Sequence, residues 1–381
     1  MLWVVAASAS ADERSLDGGG NNVAHPTWGQ VGQPYSRVAP AAYADGVGKP
    51  LTGPPARRLS NRIFNDGAQN LFSENGVTQW GFVWGQFLDH TFGLREETGG
   101  EPGPIAFDAH DPLEAFRNDL GAIDFSRTPA APGTGVAAVP RQQINTVSSY
   151  IDAWAVYGGT TQRLEWLREG PVNGDLSDNG AHLLLDPGGL LPRRSSRGTT
   201  ATAPDMELQG RLAGTPGKAM VAGDVRANEN VALTATQTLF AREHNRIVDA
   251  LPPGLPEERK FQIARRVVGA EQQVITYEEF LPALGVELAP YRGYDPTVDA
   301  TLSNEFATVG YRAHSQIHGE LELEVAQGTY TAAQLADFVA QGLEVENPSP
   351  ENPDEVLIAI PLNVAFFNPD LLVALGEGPM L

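Results

Sequence analysis

The 41 glycines and 29 prolines among 381 residues are the strongest constraint on the architecture. Glycine leaves the backbone unrestrained and proline lacks an N–H, so each interrupts regular structure wherever it falls. At this density they predict winding helices joined by long irregular connections rather than a tidy bundle. The chain has no cysteine, which excludes disulfides and any cysteine-ligated metal centre.

At this length the chain can form one large domain or two ordinary ones. Hydrophobic residues make up 41% and all three aromatic types are present, so it should fold. Lys+Arg 26 against Asp+Glu 47 gives a net charge of −21. That charge repels nucleic-acid phosphates and anionic lipid headgroups, so neither is an expected partner. Met1 to Ala11 (MLWVVAASASA) pairs a short apolar run with small residues, like the tail of a signal peptide without its positive start. Residues 1–15 are therefore expected to be a signal remnant or a disordered terminus. The product is expected to be secreted or extracytoplasmic, and cytoplasmic otherwise. No stretch reaches the roughly 18 apolar residues of a membrane span.

Residues 16–60 lack helical periodicity and read as an extended arm over a body. Apolar residues recur at helical spacing over 79–91, 142–157, 230–251, 256–280, 304–317 and 331–342. Pro252, Pro253 and Gly254 close the long helix over 230–251, and Gly158–Gly159 is a plausible stop for 142–157. Strand candidates are isolated and no internal repeat is visible, so the class is mainly α.

On the helix over 79–91, Gln86, Asp89 and His90 share one face because positions three and four apart align. Their neighbours Phe82, Val83, Trp84, Phe87 and Leu88 are apolar, so a polar triplet needs a reason. The plain one is a buried histidine satisfied by its neighbours. The chemical one is a base that moves a proton between the two oxygens of a peroxide, a task suited to imidazole. Such a reaction also needs a fixed positive charge, which Arg226 in Gly223-Asp224-Val225-Arg226-Ala227-Asn228-Glu229 can supply.

The run Trp84–His90, the run Arg141-Gln142-Gln143-Ile144-Asn145 through Tyr157-Gly158, and the run Gly223–Glu229 followed by Ala241–Arg246 occur in one order. Together they resemble the animal-type haem peroxidases of the peroxidase–cyclooxygenase superfamily, in a bacterial-like member. The resemblance implies a mainly α haem peroxidase domain over 16–381, haem b as cofactor, and hydrogen peroxide with small phenolic or halide donors as reactants. It implies His90 as distal acid/base, Arg226 as the charge that polarises peroxide, and Gln86 as a holder of peroxide, halide or water. Asp89 and Glu229 match carboxylates that can form ester links to haem methyl groups, the alternative being simple hydrogen bonding near the haem. Asn230 stands where a leukocyte member has a haem-linked methionine, so a sulfonium link is excluded. Arg242 to Arg246 reads as structural, and His244 as a core or capping histidine.

The same resemblance implies a calcium site formed by Thr91, Ser148, Tyr150 and Asp152. Two departures weaken it, since Thr91 replaces an aspartate and Trp154 a serine, while calcium wants about six to eight oxygens.

With cysteine absent, histidine is the expected axial ligand of haem iron. The family pattern favours His314, with His318 in reserve, and Arg312 toward a haem propionate. The order Tyr311-Arg312-Ala313-His314 instead resembles the fatty-acid dioxygenases of the superfamily, in which a tyrosine three before the ligand holds the catalytic radical. A dioxygenase using Tyr311 is thus the competing activity, and a buried tyrosine hydrogen-bonded beneath the haem is the plain reading. Family domains continue beyond the segment matching Ala365 to Leu372, so the chain reads as an incomplete domain lacking its C-terminal part. A second polypeptide completing it, an inactive fragment, or a haem-binding or adhesion module are the consequent alternatives.

Overall fold

A computed structural model of the chain describes residues 13–67, 69, 71–95, 98–312 and 316–376. The leader-like residues 1–12 therefore lie outside the described residues. In chain order, the first half holds α1 (Ala56–Ile63), α2 (Trp80–Phe92), β1 (Glu101–Pro102), β2 (Ile105–Ala106), β3 (Ala122–Ile123), β4 (Ser126–Arg127), α3 (Trp154–Tyr157), α4 (Thr161–Leu167) and α5 (Gly210–Ala213). The second half holds α6 (Val231–Ala250), α7 (Glu257–Val274), α8 (Leu281–Ala283), β5 (Glu320–Ala326), α9 (Ala332–Ala340), β6 (Glu344–Glu346), β7 (Glu355–Pro361), α10 (Leu362–Ala365) and α11 (Pro369–Leu375). No helix among the described residues is long and apolar enough to cross a membrane.

The core forms where α2 meets α6. Phe87 and Phe240 stack at 5.1 Å between ring centres, and Trp84 tilts against both at 5.4 and 5.8 Å. Each aromatic contact of this kind adds about 0.5–1.5 kcal/mol beyond area burial. Asn230 starts α6 by accepting a bond from the Leu233 N–H at 2.8 Å, a cap that satisfies one of the helix's orphan donors. α7 lays Phe261, Ala264, Val268 and Gly269 into the same core, then continues through a π-helical stretch over Ile275–Phe280 into α8.

The helices expected over 79–91, 230–251, 256–280 and 331–342 are present within one or two residues, apart from the π-helical end of the third. The helix expected over 142–157 is not. Only its last turn forms as α3, and Ala153 before it adopts the left-handed region at φ 64°. The upstream residues are extended because their backbone partners come from elsewhere. Gly32 and Tyr35 of the arm donate to the Asn145 and Gln143 carbonyls at 2.8 Å each, and Thr146 donates to the Leu94 carbonyl at 2.8 Å. Buried Asn145 then stitches this strand to the end of α2, accepting from Leu94 N at 3.0 Å and donating to the Phe92 carbonyl at 2.9 Å. The arm is thus bound to the body by backbone hydrogen bonds.

Likewise, the helix expected over 304–317 shrinks to a π-helical turn, Phe306–Gly310, ending at Tyr311. A three-stranded antiparallel sheet of order β5-β7-β6 follows, where only isolated strands were expected. Its signal is alternation: Leu321 and Val325 are buried while Glu322 and Glu324 are exposed, and Leu321 and Leu323 pair with Ile360 and Ile358 of β7. The chain is nonetheless mainly α, as expected.

His244 on α6 occupies the core as the sequence suggested. Its Nε2 faces the Ala181 carbonyl at 2.9 Å and its Nδ1 faces the Tyr157 hydroxyl at 2.8 Å. Burial pushes its pKa down to about 4, against a weaker opposing effect of the Ala181 bond. The folded state therefore prefers neutral imidazole, whose contribution is complete above the unfolded value near 6.5 and is lost as pH falls toward 4. This amounts to about 3 kcal/mol. Urea melts at pH 7 and pH 4.5 should show this share of acid destabilisation in the wild type, and its absence in His244→Gln.

Candidate active site

α2 presents Gln86, Asp89 and His90 to a cavity of about 830 Å³, within the usual range for ligand pockets. Arg226 and Glu229 reach the same cavity from the loop before α6, so the two separated sequence runs meet. That loop is placed by close backbone contact. A Cβ on Gly223 would collide with the Trp154 carbonyl oxygen and with the backbone nitrogens of Tyr157 and Gly158, so glycine lets the loop press against α3. Asn228 holds the loop's far side, accepting from Met220 N at 2.9 Å and donating to Met220 O at 2.8 Å.

His90 is 3% exposed. Its Nε2 lies 3.4 Å from Glu229 Oε2, and its Nδ1 lies 3.8 Å from Asp224 Oδ1. Gln86 is fixed at both ends of its amide, donating to Glu229 Oε2 at 2.7 Å and accepting from Asn230 Nδ2 at 2.6 Å. Asn230 thus caps α6 and orients Gln86 at once. Arg226 lies 3.7 Å from Asp89 and also reaches the His90 carbonyl at 3.5 Å.

Arg226 is surrounded by three carboxylates, Asp224, Asp89 and Glu229. Burial opposes the charge on Arg226, but Asp224 above all, then Asp89 and Glu229, raise its pKa further above its ordinary value. Burial likewise pushes Glu229 up, yet the bond from His90 and the charges of His90 and Arg226 hold it below the ordinary carboxylate range. Asp224 is also held low, because Arg226 outweighs its burial. From sequence, Asp224 has no role, and Asn230 is marked only as the residue that excludes a sulfonium link. Proximity to Arg226 and Glu229 in the same run was the available signal.

The cavity also suits a flat aromatic group carrying carboxylates. Phe82, Phe125, Phe366 and Phe367 give it apolar walls, while Arg95, Arg127, Arg141 and Arg312 bring positive charge into a strongly acidic protein. His90 Nδ1 is buried with no hydrogen-bond partner, 3.8 Å from Asp224 Oδ1. These residues fit haem. His314, the expected axial ligand, lies outside the described residues, but Tyr311 and Arg312 before it and Ile317 after it line the cavity. His318 does not line it. Tyr311 donates its hydroxyl to the Gly85 carbonyl at 3.1 Å and packs edge-on against Phe92 at 5.2 Å. Burial, and then the Asp89 charge, raise its pKa.

The residues expected to hold calcium make local bonds, although one oxygen of Asp152, Oδ1, is buried without a partner. Thr91 donates to the Phe87 carbonyl at 3.1 Å, as a helical threonine commonly does. Ser148 donates to Asp152 Oδ2 at 3.1 Å and accepts from Tyr150 N at 3.2 Å, and Tyr150 donates to the Trp28 carbonyl at 2.8 Å. Asp152 is buried, and burial raises its pKa to about 6 against the lowering charge of Arg265.

Comparison with known proteins agrees with this geometry. The family model of the animal haem peroxidases matches residues 13–373. Thyroid peroxidase from Sus scrofa is 32% identical over 355 residues, covering 80% of this chain and 37% of that protein. Peroxidasin from Drosophila melanogaster is 31% identical over 343 residues, covering 78% of this chain and 22% of that protein. Among solved structures, peroxidase A from Dictyostelium discoideum matches with a TM-score of 0.73 at 27% identity, covering 97% of this chain and 67% of the other. A fatty acid alpha-dioxygenase from Oryza sativa matches with a TM-score of 0.64 at 19% identity over 96% of this chain and 57% of the other, a likeness of fold. The chain belongs to the animal haem peroxidase family. It spans little more than a third of the length of the thyroid peroxidases it matches, 37% for the Sus scrofa protein.

The contact of Gly223 with α3 gives a direct check on how the loop carries Arg226. Gly223→Ala should destabilise the protein by about 1–3 kcal/mol through forced backbone shift, read as a lowered urea midpoint. A midpoint equal to wild type would mean that the close approach is not needed.

Proposed function

We propose that this protein is a haem-dependent peroxidase that reduces hydrogen peroxide and oxidises small phenolic or halide donors. The observation that carries the reading is the meeting of His90, Arg226, Gln86 and Glu229 at one cavity. Haem bound there would supply the iron at which peroxide is reduced and donors are oxidised, and His314 and Arg312 are the residues that would hold its iron and a propionate.

The chain's own residues then have separable tasks. His90 takes a proton from one peroxide oxygen and returns it to the other, the work of a general acid and base. Arg226 offsets negative charge growing on the departing oxygen, and its permanent charge needs no proton of its own. Gln86, held by Glu229 and Asn230, keeps a second amide N–H for peroxide, water or halide. Burial of His90 and Arg226 strengthens each of these interactions by excluding water.

The competing dioxygenase reading rests on Tyr311. Its hydroxyl is already committed to the Gly85 carbonyl, which favours a packing role. A purified protein should keep a Soret band through gel filtration and change it on adding stoichiometric hydrogen peroxide. His90→Ala should slow that change by about 100-fold or more, and Tyr311→Phe should leave phenol oxidation close to wild type. Oxygen uptake with a fatty acid that is lost in Tyr311→Phe, without phenol turnover, would refute the peroxidase reading; a colourless protein would favour a fragment or a non-haem module.

Asp89 and Glu229 both line the cavity and are the residues assigned to ester links with haem. Mass spectrometry after acid treatment should find haem retained on the wild type and lost from the Asp89→Ala/Glu229→Ala double variant. Loss from the wild type would leave both carboxylates as hydrogen-bonding groups.

Calcium fits its expected site poorly. Asp152 is the one charged side chain among Thr91, Ser148, Tyr150 and Asp152, and Arg265 already offsets it. Arg265 also ties the residues just before the arm to α7, donating to the Arg14 and Ser15 carbonyls at 2.7 and 2.9 Å. We therefore infer that the loop is held by these contacts, so a calcium chelator should leave the melting temperature unchanged. A fall of several degrees, reversed by calcium, would show the opposite.

A further inference from the structure

Within the peroxidase reading, one buried carboxylate of the site has no task. Asp224 is 1% exposed, and it does not line the cavity that His90 and Arg226 line. Any effect it has on a bound reactant must pass through those two side chains.

Its contacts are specific. Oδ1 accepts from the Arg226 backbone N–H at 2.9 Å and from Nε at 2.8 Å, and Oδ2 accepts from Nη2 at 2.9 Å. Two adjacent guanidinium donors on two carboxylate oxygens fix the plane of the group as well as its position. Asp89 approaches Arg226 only to 3.7 Å, so it contributes charge without that fork. The same Asp224 Oδ1 stands 3.8 Å from His90 Nδ1, beyond hydrogen-bond length but inside strong electrostatic range for groups this buried. Asp224 is in turn anchored from behind, with its backbone N–H donating to the Ala155 carbonyl at 3.2 Å where Gly223 presses on α3.

We propose that Asp224 is the positioning residue of this site, one carboxylate that orients the Arg226 guanidinium and faces the Nδ1 edge of His90, so that both present their working edges to the cavity together. The claim deepens the peroxidase reading and rests on it for what the pair does. Its geometric part stands apart from that reading. When His90 takes up a proton, the nearby carboxylate stabilises the resulting cation, as an orienting carboxylate does for other working histidines. Arg226 and His90 then act as a unit, since both are set by one group.

The test uses the holoprotein with Asp224→Asn, Asp224→Ala, Arg226→Ala and the Asp224→Ala/Arg226→Ala double variant. Three quantities are read: the rate of Soret change with hydrogen peroxide, the steady-state donor KM and kcat, and the Arg226 Nε–H signal in ¹H–¹⁵N spectra. Asp224→Ala should slow the peroxide step on the order of 100-fold, similar to losing one aligned donor in other sites. Donor KM should be unchanged, and the protected Nε–H signal should disappear. Asp224→Asn keeps the volume and one acceptor oxygen, so it should fall between wild type and Asp224→Ala and serves if the alanine variant does not fold. The double variant should be no slower than Arg226→Ala alone.

A peroxide step within twofold of wild type in Asp224→Asn and Asp224→Ala, or additive losses in the double variant, would overturn the assignment. So would a Nε–H signal that persists in Asp224→Ala. If Arg226→Ala and His90→Ala both react with peroxide as fast as wild type, it is the peroxidase reading that fails, and the Nε–H signal still decides whether Asp224 positions Arg226.

Discussion

A full positive charge on Arg226 sits in the core at 7% exposure, and this is the constraint around which the site is arranged. Removing an ion from water costs several kcal/mol even after relaxation, unless partners are aligned to meet it. Asp224 meets it with two hydrogen bonds from the guanidinium, and Asp89 and Glu229 add charge at longer range. The pairing requires the loop before α6 to lie against α3 and α2 to lie across the loop. Gly223 permits the first contact, and the hydrogen bond from Arg226 to the His90 carbonyl marks the second.

Rigidity comes from side chains that satisfy backbone and site together. Asn230 caps α6 while fixing Gln86, and Asn145 binds the end of α2 while receiving the arm. Phe87 stacks on Phe240 of α6 while Gln86, Asp89 and His90 line the cavity, so α2 is held between an aromatic core and a polar cavity. A side chain in such a position has little freedom to drift from a working orientation, which is how a catalytic group gains effective concentration.

Some readings failed for definable reasons. The apolar periodicity over 142–157 is real, but hydrogen bonds from the arm and from Leu94 offered those residues a strand-like ladder, and the left-handed Ala153 ended the competition. The alternation in Glu320 to Val325 was short enough to pass as an isolated strand, and only pairing with β7 made it part of a sheet.

The sequence by itself determined the mainly α class, the long helices, the absence of cysteine chemistry and the shared face of Gln86, Asp89 and His90, because periodicity and composition act locally. Arg226 and Glu229 entered through resemblance, since 136 residues separate Arg226 from the His90 carbonyl it reaches. Only the tertiary structure decided that these groups share a cavity and that Asp224, silent in the sequence, stands behind both Arg226 and His90. Contacts across such a separation depend on how α2, α3 and the loop before α6 pack, and no local pattern encodes that distance.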